Sequence, residues 1–402
     1  MEQIVIVGAG QAGHCAAFEL RRQRYGGRIV LIGEEALAPY ERPLLSKAVL
    51  VAPALPQPQF FSPPARYREQ EIDLVLSRRA EAIDRAGRVH LAGGGSVPYD
   101  RLLLATGGTA RRLAIRGGEY VACLRTWADA EKIRAQLKPG LRLLCIGGGV
   151  IGLEIAASAS ALGCSVTVLE AGPTIMARCL APRQADVLLR RHRDAGVTIH
   201  LEQSLSGVEK GADGFVATLT GGEEIKADLV VAGVGMSRNT ALAEDAGLEV
   251  DNGIAVDLHA RTADEAIFAA GDVAAFEHAL YPGRMRLESW YHAQYHGACA
   301  GRAMAGVPRP YDDVPRFWTD QYDLNIQVAG FPAEAVTETV VGKPGEGTFT
   351  VLHANPQGRL VGVTAVNQPR SMRPAIEAIR RGGQADPALL DPRRPAAARR
   401  GA

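Results

Sequence analysis

The sequence predicts an α/β protein with two Rossmann-like domains and a small α+β domain at its C-terminus. Two observations predict the paired domains: a strand, a glycine-rich turn and a helix occur near residue 4, and the same order recurs near residue 143. A third observation predicts the last domain, because short apolar runs separated by turn residues replace this pattern after about residue 316. A chain of 402 residues is long enough to form two or three hydrophobic cores.

The first glycine-rich turn has the spacing of a dinucleotide-binding motif. Gly8, Gly10 and Gly13 form a GxGxxG pattern. The first glycine permits a tight turn, the second lets a pyrophosphate approach the backbone, and the third lets the helix pack on the strand. Glu34 lies 21 residues after Gly13, where a carboxylate is expected to meet a ribose hydroxyl. The flanking elements are predicted as a strand at 4–7, a helix at 14–24 and a strand at 28–32.

The second glycine-rich turn repeats this arrangement. Gly147, Gly149 and Gly152 have the same spacing, Ile151 lies inside the turn, and Glu170 follows Gly152 by 18 residues. A carboxylate at this position accepts hydrogen bonds from an unmodified ribose and repels a 2′-phosphate, so NADH is favoured over NADPH. The flanking elements are predicted as a strand at 143–146, a helix at 153–162 and a strand at 165–169.

Two turns of this kind in one chain predict two bound dinucleotides. A flavin and a nicotinamide form a natural couple, because a hydride passes readily from the second to the first. The predicted cofactors are therefore FAD and NADH. The predicted reaction needs no side chain that acts as a nucleophile or a strong base.

Charge and hydropathy exclude several other classes of protein. The 45 basic and 44 acidic residues nearly cancel, so no overall field favours nucleic acid or an anionic membrane. No apolar run is long enough to span a bilayer, and the N-terminus lacks the features of a signal peptide. These observations predict a cytoplasmic protein that binds neither nucleic acid nor membranes.

Cysteine and histidine spacing favours neither a metal site nor a thiol relay. His292 and His296 lie four residues apart, but no general-base glutamate stands between them, so we expect both to pack as ordinary side chains. No pair of cysteines has CxxC or CxxxxC spacing, and we expect each to be a small buried residue. The six cysteines are Cys15, Cys123, Cys145, Cys164, Cys179 and Cys299.

Five other segments share a pattern with a known family. They are Pro39–Lys47 (PYERPLLSK), Leu103–Gly108 (LLATGG), Ile267–Asp272 (IFAAGD), Arg286–Trp290 (RLESW) and Phe317–Gln321 (FWTDQ). With the two glycine turns, these segments resemble the FAD-dependent ferredoxin reductases of bacterial oxygenase systems, which have a glutathione-reductase-like fold. The likeness is greatest to the reductase component of biphenyl-type dioxygenases and smaller to putidaredoxin reductase and apoptosis-inducing factor. Leu44 departs from the pattern, where the family usually has a second proline.

The resemblance implies a role for several residues near the flavin. Arg42 would contact the phosphate side of FAD, and Lys47 would lie near its reactive ring. Asp272 would accept a hydrogen bond from the ribityl chain, and Trp290 and Trp318 would flank the isoalloxazine ring. Thr106, in the ATG strand, completes the set of predicted FAD contacts.

The resemblance also implies which residues take part in hydride transfer. Glu154 and Glu288 would line the nicotinamide side, and Lys47 would pair with Glu154. These three residues are the candidate catalytic residues.

The domain boundaries follow from the same resemblance. Residues 1–108 and 236–315 would form a discontinuous FAD-binding domain, and residues 109–235 would form an inserted NAD-binding domain. Residues 316–402 would form a C-terminal interface domain, with predicted strands at 324–329, 348–352 and 360–366 and a helix at 373–381.

The resemblance implies a function in which NADH reduces FAD and the electrons pass to a [2Fe–2S] ferredoxin. That ferredoxin would feed a Rieske dioxygenase or a cytochrome P450 in aromatic hydrocarbon catabolism, and the reductase would be a monomer or a weak dimer. The missing cysteine pair disfavours a disulfide reductase. Two alternatives stay open: a flavin-only NADH oxidase or quinone reductase, and a signalling flavoprotein like apoptosis-inducing factor.

Overall fold

The computed structural model describes residues 2–391, so residues 392–402 of the predicted C-terminal domain lie outside the described part. The described residues pack as two units. The first unit contains residues 2–41, 57–109 and 237–315, and the second contains residues 42–56, 110–236 and 316–391. The division into three domains stays a prediction, because the two units show which residues pack together and not where each domain begins and ends.

The α-helices are numbered in chain order over the described residues. They are α1 Gln11–Arg22, α2 Ala48–Val51, α3 Pro64–Glu69, α4 Trp127–Arg134, α5 Val150–Ala161, α6 Pro182–Asp194, α7 Ala241–Asp245, α8 Trp290–Met304 and α9 Met372–Arg380. Helices α1 and α5 begin three residues before the predicted positions, because the last glycine of each GxGxxG pattern belongs to the helix and not to the turn. The first N–H groups of each helix therefore lie at the glycine turn.

A five-stranded parallel sheet forms the centre of the first unit. Its strands lie in the order Ile267–Ala269, Arg101–Leu104, Gln3–Val7, Arg28–Ile32 and Ile72–Val75. Every residue of the central strand Gln3–Val7 is buried, as expected when both faces of a parallel sheet are covered. Two sheets of three short strands complete the unit. One is antiparallel, with strands Ala80–Asp84, Arg88–Leu91 and Ser96–Pro98. The other is mixed: Ile254–Val256 pairs in parallel with Ala274–Glu277, which pairs antiparallel with Arg284–Met285.

Helices α1 and α8 pack closely against each other in the first unit. A Cβ atom at Gly297 would lie 2.3 Å from the carbonyl oxygen of Ala12, and one at Gly301 would lie 2.7 Å from that of Ala16. Only glycine permits these approaches. The contact holds the start of α1, and therefore the first glycine turn, against a buried part of the core.

A second five-stranded parallel sheet lies in the second unit. Its strands lie in the order Thr198–His200, Ser165–Leu169, Arg142–Ile146, Leu229–Ala232 and Ala122–Cys123. An antiparallel sheet accompanies it, with strands Leu205–Gly211, Gly214–Leu219 and Glu224–Ala227. Two of the points at which the chain passes from one unit to the other lie in the short strands Gly108–Ala110 and Met236–Arg238.

The C-terminal segment forms a five-stranded antiparallel sheet with α9 packed on it. The strand order is Arg316–Gln321, Leu324–Gly330, Leu360–Val366, Thr348–Ala354 and Thr337–Lys343. The first and last of these strands were not predicted. Thr337–Lys343 is an edge strand with no buried residue, so it lacks the apolar alternation by which strands are recognised. With two parallel sheets and this domain, the predicted fold class is confirmed.

The described residues show neither a membrane-spanning helix nor a cluster of metal ligands. Among residues 2–391, no helix combines the length and apolar character needed to cross a membrane. Over the same range, no three or more histidine, cysteine, aspartate or glutamate side chains cluster as metal ligands would.

Candidate functional site

The three glycines of the first turn have different structural reasons to be glycine. Gly8 has φ +119°, and a Cβ atom there would lie 2.1 Å from the carbonyl oxygen of Ala105. A Cβ atom at Gly13 would lie 2.0 Å from the carbonyl oxygen of Gly8. At Gly10, in contrast, no described atom lies within 4 Å of the Cβ position. Gly8 and Gly13 are therefore required by packing, whereas Gly10 faces open space that a ligand would fill.

The start of α1 suits a phosphate group. Gly10 is the N-cap residue, and no side chain in the described structure accepts a hydrogen bond from the first turn. The first turn of this described helix contains no acidic residue. Free N–H groups and the positive end of the helix dipole both favour an anion. The first turn therefore fits the pyrophosphate of a dinucleotide.

The second turn repeats these features in the second unit. A Cβ atom at Gly152 would lie 2.0 Å from the carbonyl oxygen of Gly147, whereas one at Gly149 would have only a single neighbour, at 3.8 Å. Helix α5 starts after Gly149 without a side-chain cap from the described residues and without an acidic residue in its first turn. Ile151, inside the turn, is 38% exposed. The second turn also fits the pyrophosphate of a dinucleotide.

The two acidic residues at the strand ends have different surroundings. Glu170 accepts hydrogen bonds from the backbone N–H groups of Gly148 and Gly172, both at 2.7 Å. Glu34 is 70% exposed and lies 3.8 Å from Arg79. Glu170 is therefore held against its own glycine turn, whereas Glu34 is free to reorient.

Lys47 and Glu154 are brought together in the second unit. The Nζ atom of Lys47 lies 2.7 Å from Oε1 of Glu154, whose side chain is 2% exposed. Ser46 donates a hydrogen bond to Oε2 at 2.5 Å, and Thr319 donates one to Oε1 at 2.6 Å. Three donors thus surround one buried carboxylate. Sequence reasoning placed Lys47 beside Glu154 but missed Ser46 and Thr319, although both lie inside segments that it had singled out.

Two other predicted contacts of the flavin also lie in the second unit. The guanidinium group of Arg42 donates a hydrogen bond to the carbonyl oxygen of Arg125 at 2.7 Å. The indole N–H of Trp318 donates to Asp320 at 3.1 Å, and Trp318 is half-buried. Arg42 therefore connects the segment that follows Glu41 to the loop before α4.

Trp290 lies at the first residue of α8 in the first unit. Its indole N–H donates a hydrogen bond to Glu41 at 2.6 Å. Burial raises the pKa of Glu41, although the hydrogen bond from Trp290 opposes that shift. Ser289 caps the helix by accepting from the N–H of His292 at 3.1 Å. The cap and the Glu41 contact fix where the indole ring lies. Trp290 and Trp318 belong to different units.

Three predicted site residues of the first unit remain. Glu288 and Asp272 accept hydrogen bonds from Arg286, and Thr106 is hydrogen-bonded to Asn239. Arg286 donates to Glu288 at 2.6 Å and to the backbone carbonyl of Asp272 at 3.3 Å. Thr106 and Asn239 exchange two hydrogen bonds, at 2.8 and 2.9 Å. Asn239 lies far from Thr106 in the chain, so no local pattern could have identified it.

The cysteines form no disulfide. All six lie within the described residues and take part in no disulfide; three are buried as expected, whereas Cys15, Cys123 and Cys179 are only partly buried. Burial raises the pKa of Cys15, Cys145 and Cys299 to about 12, so these thiols are poor nucleophiles at neutral pH.

His292 and His296 pack in the core of the first unit. The ring of His292 stacks on Phe276 with centroids 4.7 Å apart, and its Nδ1 atom lies 3.0 Å from the hydroxyl of Tyr311. His296 accepts a hydrogen bond from the N–H of Gly271 at 3.3 Å. Burial lowers the pKa of His292 to about 3 and lowers that of His296 well below its ordinary value. Both rings are therefore neutral in the folded protein.

Because His292 and His296 are buried and neutral, we expect the free energy of unfolding to fall as the pH drops below about 6.5. Above the ordinary pKa of about 6.5, the folded and unfolded states bind equal numbers of protons at these rings. As the pH falls below that value, only the unfolded state gains protons, and the free energy of unfolding falls. We expect a loss of about 3 kcal/mol for the pair between pH 7.5 and 5.5, measured by urea unfolding. A His292→Gln variant should show a shallower dependence, and an unchanged slope would contradict this account.

Comparison with known proteins agrees with this arrangement. A family model described as "Pyridine nucleotide-disulphide oxidoreductase" matches residues 2–297, and one described as "Reductase C-terminal" matches residues 316–396. The chain is similar to the 3-phenylpropionate/cinnamic acid dioxygenase ferredoxin–NAD(+) reductase component of Photorhabdus laumondii. The two are 40% identical over 376 residues, which cover 92% of this chain and 94% of the relative.

Two further comparisons extend the likeness. The anthranilate 1,2-dioxygenase system ferredoxin–NAD(+) reductase component of Burkholderia cepacia is 40% identical over 395 residues, which cover 97% of each chain. The crystal structure of the covalent putidaredoxin reductase–putidaredoxin complex matches with a TM-score of 0.91 and 35% identity, covering 97% of this chain and 95% of that chain. The resemblance found in the sequence is confirmed. The chain belongs to the pyridine nucleotide-disulphide oxidoreductase family and is an oxidoreductase with that family's nucleotide-binding fold and a reductase C-terminal domain.

Proposed function

We propose that this protein is an FAD-containing reductase that oxidises NADH and passes the electrons to a [2Fe–2S] ferredoxin, which serves an oxygenase. The observation that carries the proposal is the pair of open glycine turns, each at an uncapped helix start and each followed by a strand that leads to an acidic residue. The relatives named as ferredoxin–NAD(+) reductase components support the choice of acceptor.

Each unit has one glycine turn, and each turn would hold the pyrophosphate of one dinucleotide. In the first unit, the turn at Gly8, Gly10 and Gly13 would hold the FAD pyrophosphate, and Glu34 would meet the adenosine ribose. Thr106, Asp272 and Trp290 are the other contacts proposed there. In the second unit, the turn at residues 147–152, with Ile151 at its edge, would hold NADH, and Glu170 would bind its ribose. Arg42, Lys47 and Trp318 are the FAD contacts proposed from that unit.

Bound FAD supplies the redox chemistry, because it accepts two electrons as a hydride and releases them one at a time. We propose Lys47 and Glu154 as the charged pair that acts on the reacting rings. The ammonium group of Lys47 offers positive charge where negative charge develops, and Glu154 holds that group in place at 2.7 Å. Glu288, fixed by Arg286, would line the nicotinamide side.

The partner and the setting are also proposals. The acceptor would be a ferredoxin of a Rieske dioxygenase or cytochrome P450 system in aromatic hydrocarbon catabolism. We propose that the reductase works in the cytoplasm as a monomer or weak dimer, without nucleic acid or membrane partners. The net charge of +1 supports the last point.

The proposed function is tested by NADH-driven cytochrome c reduction with and without an added [2Fe–2S] ferredoxin. We expect purified yellow protein to be bleached by NADH, and cytochrome c reduction to depend strongly on the ferredoxin. Rapid consumption of NADH with formation of peroxide or water, without ferredoxin, would favour a flavin-only oxidase instead.

Glu170 is expected to set the preference for NADH. A Glu170→Ala variant removes the charge that repels a 2′-phosphate, so we expect the ratio of kcat/KM for NADH to that for NADPH to fall about tenfold, or about 1.4 kcal/mol. The variant also leaves two N–H groups without their acceptor, so the thermal midpoint should fall. Steady-state kinetics with both nucleotides measures the ratio, and an unchanged ratio would rule out this role.

A further inference from the structure

A continuous series of hydrogen bonds, buried from His192 onwards, leads to the Glu154 carboxylate within the second unit. The hydroxyl of Tyr322 lies 3.1 Å from Nδ1 of His192, and Nε2 of that ring lies 2.7 Å from Oε1 of Gln321. The amide nitrogen of Gln321 donates to the Thr319 hydroxyl at 3.0 Å. Thr319 in turn donates to Oε1 of Glu154 at 2.6 Å. The chain connects helix α6, the first strand of the C-terminal sheet and helix α5.

Every donor in this chain points towards Glu154. Burial lowers the pKa of His192 to about 4, so the ring is neutral and has one donor nitrogen and one acceptor nitrogen. Because the Gln321 oxygen can only accept, Nε2 of His192 must donate, and Nδ1 must accept from Tyr322. The amide group of Gln321 and the hydroxyl of Thr319 then continue in the same direction. The aligned dipoles all end at one carboxylate oxygen.

That oxygen is the one that also binds Lys47. Both the Thr319 hydroxyl and the Lys47 ammonium group lie against Oε1 of Glu154, at 2.6 and 2.7 Å, while Ser46 occupies Oε2. Rotation of the carboxylate would therefore break the Thr319 hydrogen bond and displace Lys47 together. Thr319 opposes that rotation, and Gln321 and His192 hold Thr319 in the orientation that does so.

Burying the polar side chains of this hydrogen-bond series costs desolvation free energy. His192 and Thr319 are fully buried, and Glu154 and Gln321 are each 2% exposed. Apolar side chains of similar size often fill such space at no loss of stability. What a fully hydrogen-bonded network adds is a fixed orientation for each of its side chains.

We propose that Thr319, Gln321 and His192 are positioning residues for hydride transfer, acting through Glu154 to place the ammonium group of Lys47. This inference rests on the proposed function. It gives the C-terminal domain a part in the reductive step, because Thr319 and Gln321 lie on its first strand. None of the three need touch a nucleotide.

The test measures the reduction of bound FAD by NADH in stopped flow, without ferredoxin, for Thr319→Val and Thr319→Ser. We expect Thr319→Val to lower the limiting rate constant on the order of tenfold while the Kd for NADH changes less than about twofold. Thr319→Ser keeps the hydroxyl and should restore the rate. Gln321→Leu should show a smaller loss in the same direction, and it serves as the second variant if Thr319→Val does not fold.

A double variant of Thr319→Val and Lys47→Met distinguishes a role of Thr319 in positioning Lys47 from general damage to the fold. If Thr319 acts through Lys47, adding Thr319→Val to Lys47→Met should slow FAD reduction less than about twofold further. A full tenfold loss in that background, or an unchanged rate in Thr319→Val alone, would overturn the inference. Wild-type protein whose FAD is not reduced by NADH would instead overturn the proposed function on which the inference rests.

Discussion

A Gly10→Val variant should fold normally and lose FAD. The backbone of Gly10 has φ −95° and ψ −166°, which any residue adopts, and no described atom lies within 4 Å of its Cβ position. The added side chain would instead occupy the space that the pyrophosphate needs. We expect FAD affinity to fall at least about a hundredfold, or about 2.7 kcal/mol, while the far-ultraviolet circular dichroism spectrum stays the same. Flavin content after purification and titration of the apoprotein with FAD measure this.

Gly13 and Gly149 provide matched controls for this variant. Gly13→Ala should fail differently, because its Cβ atom would lie 2.0 Å from a backbone oxygen and the strand–helix contact would have to open. That variant should lose thermal stability as well as flavin. Gly149→Val should keep FAD and weaken only NADH. Full retention of FAD by Gly10→Val would show that the first turn does not hold the pyrophosphate.

A Lys47→Met variant should be both less stable and slower. Glu154 is 2% exposed, so removal of the ammonium group leaves a buried charge with only hydroxyl donors. Loss of one partner of a buried ion pair costs about 3 kcal/mol or more in the free energy of unfolding. Loss of positive charge at the reacting rings should slow FAD reduction by NADH about a hundredfold. Urea unfolding and stopped-flow absorbance measure the two effects separately.

The double variant Lys47→Met, Glu154→Gln separates these two effects. Removal of both charges should recover most of the lost stability, because no buried charge is then left without its partner. The rate should stay low, since the ammonium group is still missing. If the double variant recovered the rate along with the stability, Lys47 would have only a structural role.

The sequence by itself was enough to predict the two glycine turns, the parallel strands beside them and the fold class. These features are local: the turn needs glycines at set spacings, and a strand buried on both faces must be apolar along its whole length. The same local signals failed for the edge strand Thr337–Lys343, where no face is buried, and they placed the starts of α1 and α5 too late.

Apart from the pair of Lys47 and Glu154, which the resemblance implied, only the tertiary structure decided which polar side chains meet. Glu154, Thr319 and His192 come from three elements far apart in the chain, and nothing in the spacing of their residues predicts a hydrogen bond between them. The structure also separated Gly10 from Gly13, which look alike in the motif but differ in whether protein atoms surround them. Local backbone rules can be read along a chain, whereas the partners of a buried polar group depend on how distant segments pack.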